Sequence, residues 1–399
     1  MSDTLSATPP APAAGETGIP YGRALRTLFR LDEAATFLNH GSFGLTPLAV
    51  LAAQEALRQE MERQPVQFLS RTNLQPRLRA AAAELASFLG AMGDDLAFVD
   101  NATTGANAVL RSFPLKPGDE VLITDHTYPA VRNAVRFVCE RTGARIVEAK
   151  LRFPAESPDG IVAAVTAALT ERTRLAVFDL ISSASAIVMP VPALARACRD
   201  AGAPVLVDAA HGPGMVDLDL PALGADWVTG NAHKWLFAPK GCALLWASKT
   251  AQQTLHPTVI SHGFEQGFTN EFDWTGTRDP TAWLALPSAL AFYRSMGDGA
   301  LRSRNHALAV TAAELMAKRW RTEVGAPAEM LGAMAVVRLP GRHPGTPAAA
   351  QAIHDQLWQK CHIEVPVMSL EQTLWVRISA QIYNDLDDYQ QLVAGIADS

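Results

Sequence analysis

Lys234 stands in the run Asn231-Ala232-His233-Lys234-Trp235, between two apolar stretches and among aromatic neighbours. A lysine desolvated in such a place holds its proton weakly and becomes an amine able to take an aldehyde as a Schiff base. A side chain that merely snorkels to water is the alternative, and Lys240 and Lys249, beside turn or surface residues, fit that alternative. Asp208 closes the apolar run Val205-Leu206-Val207 and precedes Ala209-Ala210-His211-Gly212. An acid there is either a cap or turn residue or the anionic partner of a bound ligand. Asp100-Asn101-Ala102-Thr103-Thr104-Gly105 opens a helical pattern after a short strand, which aims backbone N–H groups and the hydroxyls of Thr103 and Thr104 at an anion. A plain N-cap by one of the two threonines is the alternative. His126 and Tyr128, in Asp125-His126-Thr127-Tyr128-Pro129, offer rings that could stack on a planar ligand, Tyr128 first and His126 in reserve. An acid, a buried amine, an anion cradle and a stacking ring, at the ends of different strands, are what pyridoxal 5′-phosphate requires: the acid keeps the ring nitrogen protonated, and the lysine holds the aldehyde and moves protons.

These residues need a frame, and the chain between about Asp32 and Trp246 supplies one. Short β-branched or apolar runs alternate there with longer helical patterns, which predicts an α/β domain with a parallel sheet covered by helices. Strands are expected at Ala97–Val99, Glu120–Thr124, Arg145–Ala149, Arg174–Leu180, Pro204–Asp208, Asp226–Thr229 and Cys242–Trp246, with crossover helices at Ala130–Thr142, Ile161–Thr170 and Val191–Ala201. In such sheets ligands bind beyond the carboxyl ends of the strands, where the residues above fall. The stretch from Thr254 to Asp279 breaks the rhythm and reads as a functional loop or connector. A helical pattern from Thr281 to Thr322 follows, interrupted at Gly297 to Gly299, then strands at Ala335–Leu339 and Leu374–Ser379 around a helix at Pro347–Cys361. The division expected is a disordered tail over residues 1–20, an N-terminal segment with the large cofactor-binding domain over 21–270, and a connector with a smaller C-terminal α+β domain over 271–399.

Composition excludes several classes of function. With 48% hydrophobic and 19% charged residues, the 399-residue chain has an ordinary globular mix rather than that of a disordered protein. The net charge of −6 and the lack of a long Lys/Arg run argue against nucleic acid and anionic membranes as partners. No window approaches the roughly 18 apolar residues of a membrane span, and the first twenty residues lack the basic start and apolar stretch of a signal peptide. Cys139, Cys198, Cys242 and Cys361 are too scattered for a redox or zinc motif, so the expectation is a cytoplasmic protein with reduced thiols and no metal.

Six motifs in a fixed order carry a resemblance over nearly the whole chain. They are Phe37-Leu38-Asn39-His40-Gly41-Ser42-Phe43-Gly44, Asn101-Ala102-Thr103-Thr104-Gly105, His126-Thr127-Tyr128-Pro129-Ala130-Val131, Asp208-Ala209-Ala210-His211-Gly212, His233-Lys234-Trp235 and Trp375-Val376-Arg377-Ile378-Ser379. By these the sequence resembles the class V aminotransferases, fold-type I enzymes that use pyridoxal phosphate, and within them the isopenicillin-N epimerase-like branch. The resemblance implies a catalytic set of Lys234 as the Schiff-base lysine, Asp208 on the pyridine nitrogen and His211 beside the ring oxygen. It implies that Thr103 and Thr104 hold the phosphate with help from Asn231 and His233, and that Arg377 grips the α-carboxylate of a small amino-acid-type substrate with its bidentate fork. The alternative for Arg377 is a surface arginine in an ion pair. Asn39 and His40 would touch substrate. The run Trp274-Thr275-Gly276-Thr277-Arg278 matches a loop that reaches the partner subunit's phosphate, so Thr277 implies a homodimer with its sites at the interface. One departure stands out: the mobile loop that carries the catalytic cysteine of the desulfurases is missing between Met334 and Arg377, which leaves Cys361 as a structural residue. The activity implied is that of an epimerase or racemase, with a carbon–sulfur lyase or an aminotransferase as alternatives. A cofactor-free binding protein on the same fold is a further alternative, opposed by the joint presence of Lys234, Asp208 and Arg377.

Overall fold

The computed structural model describes residues 19–397, so the tail expected over 1–20 lies, but for its last two residues, outside the described residues. The N-terminal segment contributes a two-residue strand, β1 (Thr36–Phe37), then helices at Leu48–Arg63 and Arg71–Phe88. Seven strands follow: β2 (Leu96–Val99), β3 (Glu120–Thr124), β4 (Arg145–Ala149), β5 (Thr173–Asp179), β6 (Val205–Ala209), β7 (Trp227–Asn231) and β8 (Ala243–Ala247). They form one sheet in the order β2-β8-β7-β6-β5-β3-β4. Each sits within a residue or two of its expected bounds.

The sheet is parallel except at β8, which runs antiparallel to both β2 and β7. Its sequence could not reveal that reversal, because a strand buried on both faces reads as a continuous apolar run in either direction. The side chains of β5 point alternately into two cores, as the pleat demands. Leu175 and Val177 pack with Val109, Leu110, Val131 and Val135 of helices Ala102–Ser112 and Pro129–Thr142. Ala176 and Phe178 face the other core, with Val191, Leu194, Trp283 and Leu286. Each such apolar side chain contributes roughly 1.5–3 kcal/mol when fully buried, so the strand ends are held on a rigid three-layer frame.

The expected helical stretch from Thr281 onward divides into helices Thr281–Leu284, Leu286–Ser295 and Gly299–Trp320, with its break at the expected glycines. Beyond it lie β9 (Met334–Arg338), β10 (Ile363–Glu364), β11 (Val367–Leu370) and β12 (Thr373–Ser379), with β11-β12-β9 forming an antiparallel sheet. The N-terminal segment, grouped with the large domain on sequence, is woven into this region: β1 pairs in parallel with β10. The Leu38 amide donates to the Glu364 carbonyl, and the Ser379 amide to the Leu38 carbonyl, each at 2.9 Å. This seam carries residues 39–44 to the carboxyl ends of the large sheet. Among the described residues no helix is long and apolar enough to cross a membrane.

Candidate active site

The carboxyl ends of β2, β5, β6 and β7 open into one cavity of about 550 Å³. Its wall includes Asn101, Thr103, Tyr128, Asp179, Asp208, His211, Asn231, His233 and Lys234. Lys234 lies on the single turn Ala232–Trp235 directly after β7. Its Nζ is 3.2 Å from His211 Nε2, while the Trp235 indole Nε1 donates to His211 Nδ1 at 3.3 Å. An indole N–H can only donate, so Nδ1 accepts and the His211 proton sits on Nε2. With that tautomer the Lys234 nitrogen accepts from His211 once it has lost its extra proton. Burial, then the Arg377 charge, push the Lys234 ammonium down to about 8, against the attraction of Asp208 and Asp179. Burial, reinforced by the Lys234 charge, holds the His211 imidazolium well below its ordinary range, so its ring stays neutral.

The lysine turn is clamped from behind. His40 Nε2 donates to the Lys234 carbonyl at 2.9 Å, and the Tyr383 hydroxyl lies 2.8 Å from His40 Nδ1, where it donates. Burial pushes His40 down to about 3, so it stays neutral in this role. Gly44 rests on the same turn with φ of 68°, and a Cβ there would stand 2.3 Å from the His233 carbonyl oxygen. Only glycine fits that backbone and that approach.

At the anion end, Asn101 caps helix Ala102–Ser112: its side chain accepts from the Thr104 amide at 2.9 Å. The Thr104 hydroxyl donates to the same oxygen at 3.2 Å. Thr104 is therefore turned back into the cap and Thr103 alone of the two lines the cavity. Asn231 accepts from the Ala102 amide at 2.9 Å, and His233 Nδ1 donates to the Cys242 carbonyl at 3.0 Å. Gly105 lets this helix sit on β7, since a Cβ would meet Thr229 Oγ1 at 2.2 Å.

Asp208 is buried and accepts from the Ala210 amide at 2.9 Å, with no ion pair among the described residues. Burial raises its carboxyl, opposed by the Ala210 N–H and by the Lys234 charge. Arg377, on β12, is 2% exposed. It is thus no surface arginine, and its guanidinium donates to the Ser183 carbonyl at 2.5 Å, Ser183 Oγ at 3.1 Å, Ser42 Oγ at 3.0 Å and Asn39 Oδ1 at 3.3 Å. Ser42 and Ser183 belong to the cavity wall, so the arginine lies immediately behind it. All its acceptors are neutral and its Nε has no partner.

Three further expected contacts stand outside the wall, and Thr277, expected at a partner's phosphate, lies outside it too. His126 lines a neighbouring recess and bonds Ser185 Oγ at 2.7 Å, leaving Tyr128 as the ring at the cavity. His40 is a buried clamp rather than a wall residue, because the seam to β10 and β12 draws it beneath the lysine turn. Asn39 donates to Glu364 at 2.8 Å and supports Arg377 from outside the wall. Thr277 is exposed and stands away from the cavity of its own chain, in a loop where Arg278 pairs with Asp100. Sequence reasoning missed Ser42, Ser183 and Asp179. Asp179 carried a readable signal, an acid closing an apolar strand, the same one that marked Asp208.

These residues fit pyridoxal phosphate. A buried acid without a cation would meet a protonated ring nitrogen, a lysine amine with a weakened proton would meet an aldehyde, and a helix N-terminus would meet a phosphate. The buried Arg377, with only neutral acceptors, would meet the charge of a carboxylate. No cysteine lines the cavity, and among the described residues no group of three or more His, Cys, Asp or Glu side chains could hold a metal ion.

Comparisons with known proteins agree. The family described as aminotransferase class-V matches residues 38–392. The isopenicillin N epimerase of Amycolatopsis lactamdurans is 35% identical over 389 residues, covering 92% of this chain and 95% of its own. An L-cysteine desulfhydrase of Arabidopsis thaliana is 33% identical over 389 residues, covering 89% and 86%. Among solved structures, the apo cysteine desulfurase of Thermococcus onnurineus NA1 superposes with a TM-score of 0.79 at 18% identity, covering 95% of this chain and 98% of that one, which shows the same fold. The chain belongs to the class V aminotransferases, a family of enzymes that use pyridoxal phosphate.

Proposed function

We propose that this enzyme holds pyridoxal 5′-phosphate on Lys234 and removes the Cα proton of a small amino-acid-type substrate, with cleavage of a β carbon–sulfur bond as the outcome. The observation that carries the reading is the Lys234 amine, pushed down to about 8 and set 3.2 Å from His211 in one cavity with the buried Asp208. The cofactor, when bound, supplies an electron sink for the pair left on Cα. Asp208 would face the ring nitrogen and favour its protonated form. His211, with its proton fixed on Nε2 by Trp235, would offer a donor to the ring oxygen. Thr103, Asn231, His233 and the N-terminus of helix Ala102–Ser112 hold the phosphate. Arg377 orients the substrate carboxylate, and Lys234 takes the Cα proton. The protein works as a homodimer.

The relatives named above include a desulfhydrase and an epimerase. Epimerisation needs a second acid on the face away from Lys234, whereas a thiolate leaves without one. The wall residues from the N-terminal segment and from the loop after β5, namely Ser42, Phe43, Ile181 and Ser183, include no acid or base that works near neutral pH. This favours elimination; the resemblance to the epimerase at 35% identity keeps epimerisation as the second reading. The test begins with the visible spectrum of the wild type beside Lys234→Ala, and with borohydride trapping followed by peptide mapping. L-cysteine, its S-conjugates and a panel of other L-amino acids are then supplied. Sulfide or thiol with a 2-oxo acid and ammonia supports the lyase, appearance of D-isomers supports the epimerase, and an oxo acid that keeps its side chain marks an aminotransferase. A protein that takes up no pyridoxal phosphate overturns the reading altogether.

A further inference from the structure

Asp179 closes β5 and is the register partner of Asp208 on β6. In a parallel pair, partners in register send their side chains to the same face about 4.8 Å apart. Both side chains are buried and both line the cavity. Among the described residues neither has a cationic partner at ion-pair distance. The Tyr128 amide stands 3.3 Å from each of the two Asp179 oxygens, and Tyr128 begins the segment whose ring reaches the cavity.

We propose that Asp179 is a positioning residue that anchors the Tyr128 backbone beside the cofactor and holds a proton, so that the pair of acids carries a single negative charge located on Asp208. This deepens the pyridoxal phosphate reading and rests on it. Two adjacent carboxylates shut away from water do not both ionise. The groups facing them decide which keeps the proton. Asp208 has the Ala210 N–H at 2.9 Å and the Lys234 charge to favour its anion. Asp179 has the longer contact to the Tyr128 N–H and the more remote Arg132, and burial followed by the Asp208 charge raises it well above the usual carboxylate range. The neutral acid keeps a second negative charge away from Asp208, whose charge is then free to face the ring nitrogen.

Asp179→Asn and Asp179→Ala of the full chain test this. Infrared spectroscopy of the apo protein at pH 7 is expected to show the carbonyl band of a protonated carboxylic acid that Asp179→Asn removes; this readout needs no cofactor. With pyridoxal phosphate added, Asp179→Asn is expected to bind it as the wild type does and to leave the pH titration of the visible band in place. Asp179→Ala, with no acceptor for the Tyr128 amide, is expected to bind it about tenfold more weakly. An infrared spectrum without that band, or a titration displaced by about one pH unit or more in Asp179→Asn, shows an ionised Asp179 and overturns the proposal. So does a folded Asp179→Ala that binds as the wild type. If the wild type itself binds no pyridoxal phosphate, the functional reading fails while the infrared result still decides the protonation of Asp179.

Discussion

At the scale of residues, the lysine proposed to carry the cofactor is also a cost to the fold. Its ammonium is pushed from an ordinary 10.5 to about 8, so the unfolded chain binds more protons than the folded one between those values. The penalty is present in full below about pH 8 and is relieved as the pH rises toward 10.5. Lys234→Met should therefore stabilise the cofactor-free protein at pH 7, by no more than about 3 kcal/mol, and flatten the rise in stability between pH 8 and 10; urea unfolding at several pH values checks both. A variant no more stable than the wild type would mean that the attraction of Asp208 offsets the burial. Arg377→Lys keeps the charge and loses the fork, and we expect kcat/KM for amino-acid substrates to fall about 10- to 100-fold while cofactor affinity, read by titration of the visible band, holds. Lys234 and Asp208 were legible because a charged residue ending an apolar strand needs a reason. The same rule applied to Asp179 would have found it. The setting of Arg377 was not legible, since its partners Ser183, Ser42 and Asn39 are distant in sequence.

At the scale of elements, the helix that opens at Ala102 owes its start to Asn101. Asn101→Ala removes the acceptor for the Thr104 amide and hydroxyl, which should cost about 1 kcal/mol of stability. If Thr103 and the free end of the same helix form the phosphate cradle, as proposed, pyridoxal phosphate should also bind more weakly. Fluorescence titration of the apo protein with pyridoxal phosphate and with unphosphorylated pyridoxal separates the two effects: if both ligands lose equally, the cradle is not at this helix. The strands were readable from their apolar runs, since both faces of the sheet are covered. Two features were not readable. The direction of β8 leaves no mark on a run buried on both sides, and the pairing of β1 with β10 joins residues more than three hundred positions apart through two residues each. The resemblance placed His40 at the substrate; its place beneath the Lys234 turn goes with the seam, which its own motif does not reveal.

At the scale of the whole molecule, the exposed groups carry the remaining argument. Phe43, in the cavity wall, is 75% exposed. Thr277, also exposed, stands in a loop fixed at the cavity rim by the ion pair of Arg278 with Asp100 and by the guanidinium lying 4.0 Å over the Trp283 ring. The resemblance assigns Thr277 to the phosphate of a second copy, and its exposure beside that anchored arginine suits the proposal. Sedimentation should show a dimer. A mixture of Lys234→Ala with Thr277→Asp protomers, unfolded and refolded together, then decides the geometry. If Thr277 completes the partner's phosphate site, each hybrid dimer keeps one intact site of two, half the dimers are hybrids, and the mixture recovers about a quarter of wild-type activity although neither parent has any. A mixture no more active than its parents, or a monomer in sedimentation, would place every contact to the phosphate within a single chain.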